Sequence, residues 1–226
     1  MRKVKWMVLN SPLLLGEIVE KLSYDPFSED KGSGFIFSKI RENEIQGRYV
    51  EKYTIEEKIN NLYGEQTTID RTEYRVTEFH IDKDSIPLIA LINPPRTIKP
   101  FILAIVRNLG LGINLEEIEV NPFEWIEPLE RKLPTKVIQI DLSQIRVAEF
   151  ALAKMQISST QDLKKHYFEK IKNKKGRVDK LLISINSPEF SGKVKILRSG
   201  MVYIEMNHPS KFSDILFQSL KFLLFK

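Results

Sequence analysis

The sequence predicts an α+β protein built mostly from antiparallel sheets with flanking helices, in two closely packed portions. Most of the predicted strands follow one another through short turns, which is typical of hairpins. Helical and extended segments do not alternate strictly, as they would in a doubly wound parallel sheet. No repeat with a period of about 20 to 50 residues is found, so a solenoid is not expected.

The first portion, residues 1–134, is predicted to contain a strand, a helix and a long hairpin. Lys3 to Leu9 forms the strand, and Ser11 with Pro12 supplies a cap and a first-turn proline for the helix. A change to a period of two then predicts extended structure, with polar and apolar residues mixed on both faces. The hairpin strands are expected at 45–59 and 67–81, around a turn at 62–65.

Two further helices are predicted in this portion. Thr97 caps the first, which ends at Gly110, and Asn121 with Pro122 begins the second. Pro134 lies in the best candidate for a linker. The chain is therefore divided into a mildly acidic portion, 1–134, and a basic portion, 135–226, which ends in an apolar helix.

The basic portion repeats the pattern of hairpin-linked strands with two helices. Gly200 suits a tight turn between the last two strands. The strands are predicted at 137–142, 145–155, 178–185, 192–197 and 201–206, and the helices at 160–171 and 211–225.

Charge is distributed unevenly between the two portions. Residues 1–134 hold 18 Lys and Arg against 22 Asp and Glu, whereas residues 135–226 hold 17 against 8. The formal net charge of +5 thus combines about −4 in front with about +9 behind. Such an asymmetry indicates a polyanionic or acidic partner.

Composition excludes several classes of function. The chain has no cysteine, which excludes disulfides, thiolate nucleophiles and cysteine-based metal sites, and a cytoplasmic location is expected. No stretch approaches the ~18 uninterrupted apolar residues of a membrane span. No nucleotide-binding glycine loop or catalytic motif is recognisable, and the three histidines lie far apart in the sequence. We therefore predict no catalytic residue, no metal and no cofactor.

A dense basic run provides the main functional hypothesis. If the segment from 160 to 171 is helical, Leu163, Tyr167 and Ile171 form one apolar stripe and the lysines project away from it. Cations on such a surface bind phosphates chiefly by releasing counterions. The predicted nucleic-acid-binding residues are Lys164, Lys165, Lys172, Lys174, Lys175, Arg177 and Lys180. Further cations in the same portion are Lys136, Arg146, Lys154, Lys193, Lys195, Arg198, Lys211 and Lys221.

Other interpretations of these cations stay open. Lysines in a last helical turn complement the helix dipole, surface lysines maintain solubility, and an acidic protein is also a possible partner. Lysine lacks the planar fork with which arginine reads guanine, so contact with the backbone of DNA or RNA is favoured over base readout. The nearest aromatic residues for stacking are Tyr167, Phe168 and Tyr203, for which core packing is the competing interpretation.

The terminal helix supports a second hypothesis, a protein-interaction module or homodimer. Its last turn is almost wholly apolar, so that something must cover it: the chain's own sheet, a partner or a membrane surface. The predicted partner-binding residues are Phe222, Leu223 and Phe225.

A metal-dependent nuclease is the third hypothesis. Glu56 and Lys58 form a Glu-x-Lys, to which Asp25, Asp30 or Asp70 would add a carboxylate. A looser set consists of Asp141, Glu149 and Lys154. The sequence favours a non-enzymatic accessory protein that binds nucleic-acid phosphates within a larger assembly, without membrane association.

Overall fold

A computed structural model describes residues 1–60, 66–174 and 176–225, without the side chains of residues 60, 67 and 174. The predicted turn at 62–65 lies outside the described residues. The strands are β1 (Arg2–Asn10), β2 (Ser33–Arg41), β3 (Glu44–Asn60), β4 (Gln66–Asp82), β5 (Leu88–Ile92), β6 (Asn114–Glu117), β7 (Thr135–Ala148), β8 (Ala151–Ser158), β9 (Arg177–Asn186), β10 (Ser191–Leu197) and β11 (Met201–Met206).

The helices cluster between and after these strands. The first three helices are regular, and the fifth is the longest. The fourth is short and continues as a π-helix over Tyr167–Ile171 and a 3-10 turn over Lys172–Lys174. They are α1 (Leu15–Ser23), α2 (Lys99–Leu109), α3 (Pro122–Glu130), α4 (Lys164–His166) and α5 (Pro209–Leu224). The strand pairs with a known register are all antiparallel, which confirms the predicted α+β class.

The chain divides into two compact units. One comprises residues 7–116 and is called the acidic unit here, because it holds 13 Lys and Arg against 17 Asp and Glu. The other comprises residues 1–6 and 117–226 and is called the basic unit, with 22 against 13. The predicted domain division after Pro134, and the close packing of the two portions, stay predictions.

The acidic unit contains the long hairpin. Its strands follow the order β2, β3, β4, β5 and the second half of β1. The register of β3 on β4 runs without interruption from Glu44 opposite Asp82 to Asn60 opposite Gln66. Phe35, Phe79 and Phe101 are buried in a single core, in which the Phe79 ring lies against the rings of both Phe35 and Phe101. Helices α1 and α2 also contribute buried residues to this core. The predicted hairpin is confirmed.

The basic unit is a sheet with helices on one face. Its order is the first half of β1, then β11, β10, β9, β7 and β8. Trp6 of β1 and Trp125 of α3 are fully buried and meet edge to face, with ring centroids 5.6 Å apart. The indole of Trp125 donates to the Leu216 carbonyl at 3.0 Å, which ties α3 to α5. The helices cover one face of this sheet, so the opposite face is open to solvent or to a partner.

Two predicted helix starts are wrong. Leu14, not Ser11, caps α1, because the Glu17 carboxylate accepts from the Leu14 amide at 2.7 Å, while the Ser11 hydroxyl accepts from Leu13 inside the preceding turn. Helix α2 likewise begins after Ile98 instead of Thr97. The Asn121 cap of α3 is confirmed, since its side chain accepts from the Phe123 amide at 3.1 Å.

The predicted break near residues 143–144 is also wrong. Strand β7 continues to Ala148, and the chain turns at residues 149–150. Gln144 adopts a positive φ of 54° at a register shift between Leu142 and Ile145, so the strand accommodates extra residues as a bulge. Gly200, with φ 73°, makes the predicted turn between β10 and β11.

Candidate nucleic-acid interface

In the helical part of the predicted basic run, two of the three predicted lysines have a carboxylate nearby. Lys164 forms an ion pair with Glu130 of α3, and Lys165 lies 3.9 Å from Glu169. The ammonium of Lys172 lies 5.0 Å from the centre of the Phe168 ring. The apolar stripe is confirmed, because Leu163, Tyr167 and Ile171 are all buried. Burial also raises the pKa of Tyr167, as expected for a residue of the core.

The remaining residues of the run lie on a strand or outside the described part. Arg177 donates to Asp179 at 2.8 Å, and Lys180 of β9 forms an ion pair with Asp141 of β7. Lys175 and the side chain of Lys174 lie outside the described residues. The run is thus divided between a helical segment and a strand, and its role in binding stays a prediction.

A second set of cations, which shares only Lys180 with the run, converges on the exposed face of the basic unit's sheet. Alternate residues of each strand point to opposite faces, and those of one parity, such as Val4, Val194 and Val202, are buried beneath the helices. Residues of the other parity are exposed or half-buried. We call this surface the open lysine face. Strand register places on it Lys3, Lys5, Lys136, Arg146, Lys154, Lys180, Lys193 and Lys195.

Tyr203 lies at the centre of a row across three strands of this face. It is opposite Lys3 on β1 and opposite Lys195 on β10. The Lys3 ammonium lies 5.8 Å and the Lys195 ammonium 5.2 Å from the centre of its ring. Attraction between an ammonium and an aromatic quadrupole therefore keeps both lysines beside the ring.

Carboxylates only partly balance the open lysine face. Register places Asp141 and Glu205 on it, and Glu117 reaches Lys5 from β6, so that eight cations face three anions. Lys136, Lys154 and Lys193 are exposed, and none of them forms an ion pair within the described part of the chain. The face consequently keeps a clear positive excess.

The sequence analysis assigned six of these cations to the basic portion, 135–226, but left Lys3 and Lys5 in the acidic portion and did not group the set. The available signal was a period of two: Lys193 and Lys195 alternate with Val194 and Ile196, which predicts one polar and one buried face. A contiguous basic run is more conspicuous than five strands that each contribute one or two cations. Their convergence depends on strand order, which the sequence does not reveal.

The terminal helix α5 has buried residues along one side and exposed aromatic residues near its C-terminal end. Phe212, Leu216 and Leu220 are fully buried, whereas Phe222 and Phe225 are 52% and 53% exposed and Leu223 is half-buried. Phe222 lines a groove of about 560 Å³ between α3 and α5. Half of the other groove residues are apolar and half are polar or charged: Pro128, Leu129, Arg131, Lys132, Leu133, Glu189, Phe190, Ile215, Gln218 and Ser219.

The residues of the nuclease hypothesis are only partly brought together. Glu56 and Asp70 lie opposite each other on the long hairpin, and Lys58 is two residues further on the same strand. Asp25, by contrast, is buried and accepts from Arg107 and Asn108 at 2.8 Å, as a structural carboxylate would. Asp141 is paired with Lys180. No group of three metal-ligating side chains is found among the described residues.

Within residues 1–60, 66–174 and 176–225, no helix has the length and apolar character needed to cross a membrane. A scan against known protein families finds no match, and a search of curated proteins finds no relative of this chain.

Proposed function

We propose that this protein binds the phosphate backbone of nucleic acids through the open lysine face, as a non-enzymatic accessory subunit of a larger assembly. The observation that carries the proposal is the row formed by Lys3, Tyr203 and Lys195, with five further lysines and an arginine on the same face. Eight cations against three carboxylates leave an excess that a polyanion neutralises with release of its counterions.

The dimensions of the face suit a nucleic-acid strand. Six strands spaced by about 4.8 Å span roughly 24 Å from β1 to β8, the extent of several successive phosphates. Seven of the eight cations are lysines, which bind phosphates as point charges and do not discriminate bases. The proposal is therefore for binding with little sequence preference.

Salt-dependent binding provides the test. Anisotropy of labelled 20-nucleotide oligonucleotides, single-stranded and duplex, is measured at 50 and 200 mM salt. We expect Lys193→Glu with Lys195→Glu to weaken binding at least tenfold, since each lost lysine lowers the salt slope by about 1 and each new carboxylate repels phosphate. Lys83→Glu, an exposed lysine of the acidic unit, is the matched control.

The same assay distinguishes the two sets of lysines. If Lys174→Glu with Lys175→Glu abolishes binding while the Lys193 and Lys195 pair is without effect, the basic run is the interface and the open lysine face is not. Wild-type protein that binds neither oligonucleotide at 50 mM salt refutes the function itself.

We infer a second candidate function from the groove between α3 and α5, which fits an amphipathic helix of a partner protein with acidic residues beside its apolar stripe. Phe222 and Leu133 contribute to an apolar lining, and Lys132 at the rim is exposed without an ion pair among the described residues. A helix laid in a groove recognises its partner through such apolar anchors, with charge fixing the orientation.

Two phenylalanines allow a controlled test of the groove. Phe222 lines it and Phe225 does not, although their exposed fractions are nearly equal. A labelled designed peptide with leucines at helical spacing and glutamates elsewhere should bind the wild type and the Phe225→Asp variant but not Phe222→Asp. Equal binding of a peptide in which lysines replace the glutamates, or concentration-dependent dimers lost in Phe222→Asp, contradicts an acidic partner.

A further inference from the structure

The hairpin between β7 and β8 carries an exposed apolar tip at one end of the open lysine face. Phe150 is 96% exposed, and Val147 and Leu152 are 63% and 69% exposed. A large aromatic side chain held almost wholly in water is unfavourable by the full transfer free energy of its surface. Such a patch on a folded unit marks a place of contact.

The tip is continuous with the lysine face. Leu152 lies opposite Arg146, and alternation along β8 places Leu152 and Lys154 on the same face as Gln156, opposite Asp141. The Arg146 guanidinium donates to the Glu149 carbonyl at 3.3 Å, which holds a positive charge beside the turn that carries Phe150. A polyanion on the lysine face thus has the aromatic ring within reach of its bases.

The base of the hairpin is fixed although its tip is exposed. Ile145 is buried, and a Cβ added at Gly176 would come within 2.7 Å of the Ile145 side chain. Close approach of the backbone at Gly176 therefore locks β7 against the strand that follows.

We propose that Phe150 stacks on an unpaired base, so that the preferred ligand of the open lysine face is single-stranded nucleic acid. This inference rests on the proposed function. In a duplex both faces of each base are already stacked, and a ring at the hairpin tip gains no partner. An unpaired base offers a free aromatic face of any identity, and aromatic stacking of this kind is tolerant of sequence.

The test uses a 12-nucleotide thymidine oligonucleotide with one central 2-aminopurine, and a duplex of equal length. We expect Phe150→Ala to lower single-strand affinity about tenfold and to leave duplex affinity unchanged, because only stacking is removed. Wild-type protein should change the 2-aminopurine emission, and Phe150→Ala should not. Phe150→Trp should retain both properties, and Val147→Ala, at another exposed apolar position of the same hairpin, should behave as the wild type.

The outcomes separate this inference from the proposed function. If Lys193→Glu with Lys195→Glu abolishes binding but Phe150→Ala binds single strands as tightly as the wild type, phosphate binding stands and stacking is refuted. If the wild type binds no oligonucleotide, both proposals are refuted. If instead it sediments with vesicles of phosphatidylserine and phosphatidylcholine, and Phe150→Ala does not, the tip inserts into lipid and the inference is wrong.

Discussion

The two units differ in how the cations on their sheets are paired. In the acidic unit, cations on the sheet meet carboxylates: Lys52 pairs with Glu29 at 3.0 Å and Arg75 with Glu51 at 2.8 Å. In the basic unit, Lys195 lies beside an aromatic ring and Lys193 is exposed without an ion pair among the described residues. These cations of the first unit are paired with its own carboxylates, whereas the second unit has an excess of cations on one face of its sheet.

Stability does not explain this difference. Exposed ion pairs contribute little to the free energy of unfolding, and lysines of one sign on one face repel each other. The open lysine face therefore costs the basic unit a small amount of stability when no partner is bound. A polyanionic partner would remove that cost, in agreement with the binding proposed for this unit.

The largest expected effect comes from substituting two glycines, each of which is the second residue of a strand, one in each unit. Gly192 precedes Lys193 on β10 and lies, like Val194, on the opposite face of the strand from the lysines. Its φ is 152°, and a Cβ there would lie 2.3 Å from the Glu205 carbonyl oxygen. We expect Gly192→Ala to destabilise the basic unit by about 3 kcal/mol, because neither strand backbone has room to move. Both tryptophans of the chain lie in this unit, so tryptophan fluorescence during urea unfolding reports the effect.

Gly34 of the acidic unit is the matched control. Its φ is 148°, and a Cβ would lie 2.5 Å from the backbone of Pro26 and Phe27. Gly34→Ala should destabilise the acidic unit similarly, as measured by circular dichroism, and leave oligonucleotide affinity unchanged under native conditions. Equal losses of affinity in both variants contradict the assignment of binding to the basic unit.

A tyrosine from each unit sharpens the comparison with a smaller effect. Tyr203→Leu keeps an apolar side chain but removes the ring beside Lys3 and Lys195, so we expect about fivefold weaker oligonucleotide binding at low salt. Tyr74→Leu removes the hydroxyl that donates to Glu29 at 3.0 Å and should leave affinity unchanged. Unchanged affinity in Tyr203→Leu shows that the ring does not position the lysines.

Local patterns predict most of the elements but not the site. Period-two alternation predicts β3, β4, β9, β10 and β11, because side-chain direction in a strand is a local property. Helix starts are less predictable from local patterns. Near the start of α1, the Ser11 hydroxyl accepts from the Leu13 amide and the Glu17 carboxylate accepts from the Leu14 amide, and the second of these bonds marks where the helix begins. The turn at residues 149–150 was missed because the bulge at Gln144 disrupts the alternation that would have indicated it.

The open lysine face depends on long-range strand order. Lys3 and Tyr203 are 200 positions apart in sequence, and only the pairing of β1 with β11 makes them neighbours. The basic run from Lys164 to Lys180 was visible locally, but its carboxylate partners Glu130 and Asp141 come from α3 and β7. Charge composition thus predicts that a basic surface exists, whereas topology decides which lysines form it.

The smallest expected effect concerns acid stability, which should depend on the paired carboxylates of the acidic unit. A hydrogen bond from Lys39, then one from Gln46, lowers the pKa of Glu44, and hydrogen bonds from Lys52 and Tyr74 lower the pKa of Glu29. A carboxyl with a lower pKa in the folded than in the unfolded chain favours folding above its ordinary value of 4.5, and this contribution is lost as the pH falls through the folded pKa.

Glu29→Gln with Glu44→Gln should therefore lower Tm at pH 7 by about 2 °C and by less at pH 3, because the contribution of the wild-type carboxyls decreases as the pH falls below 4.5 toward their folded pKa values. Glu57→Gln, an exposed carboxylate without an ion pair among the described residues, is the control. Scanning calorimetry at both pH values measures the difference. A double variant that loses as much Tm at pH 3 as at pH 7 shows that these carboxylates act by packing, and the charge balance attributed to the acidic unit then has no energetic role.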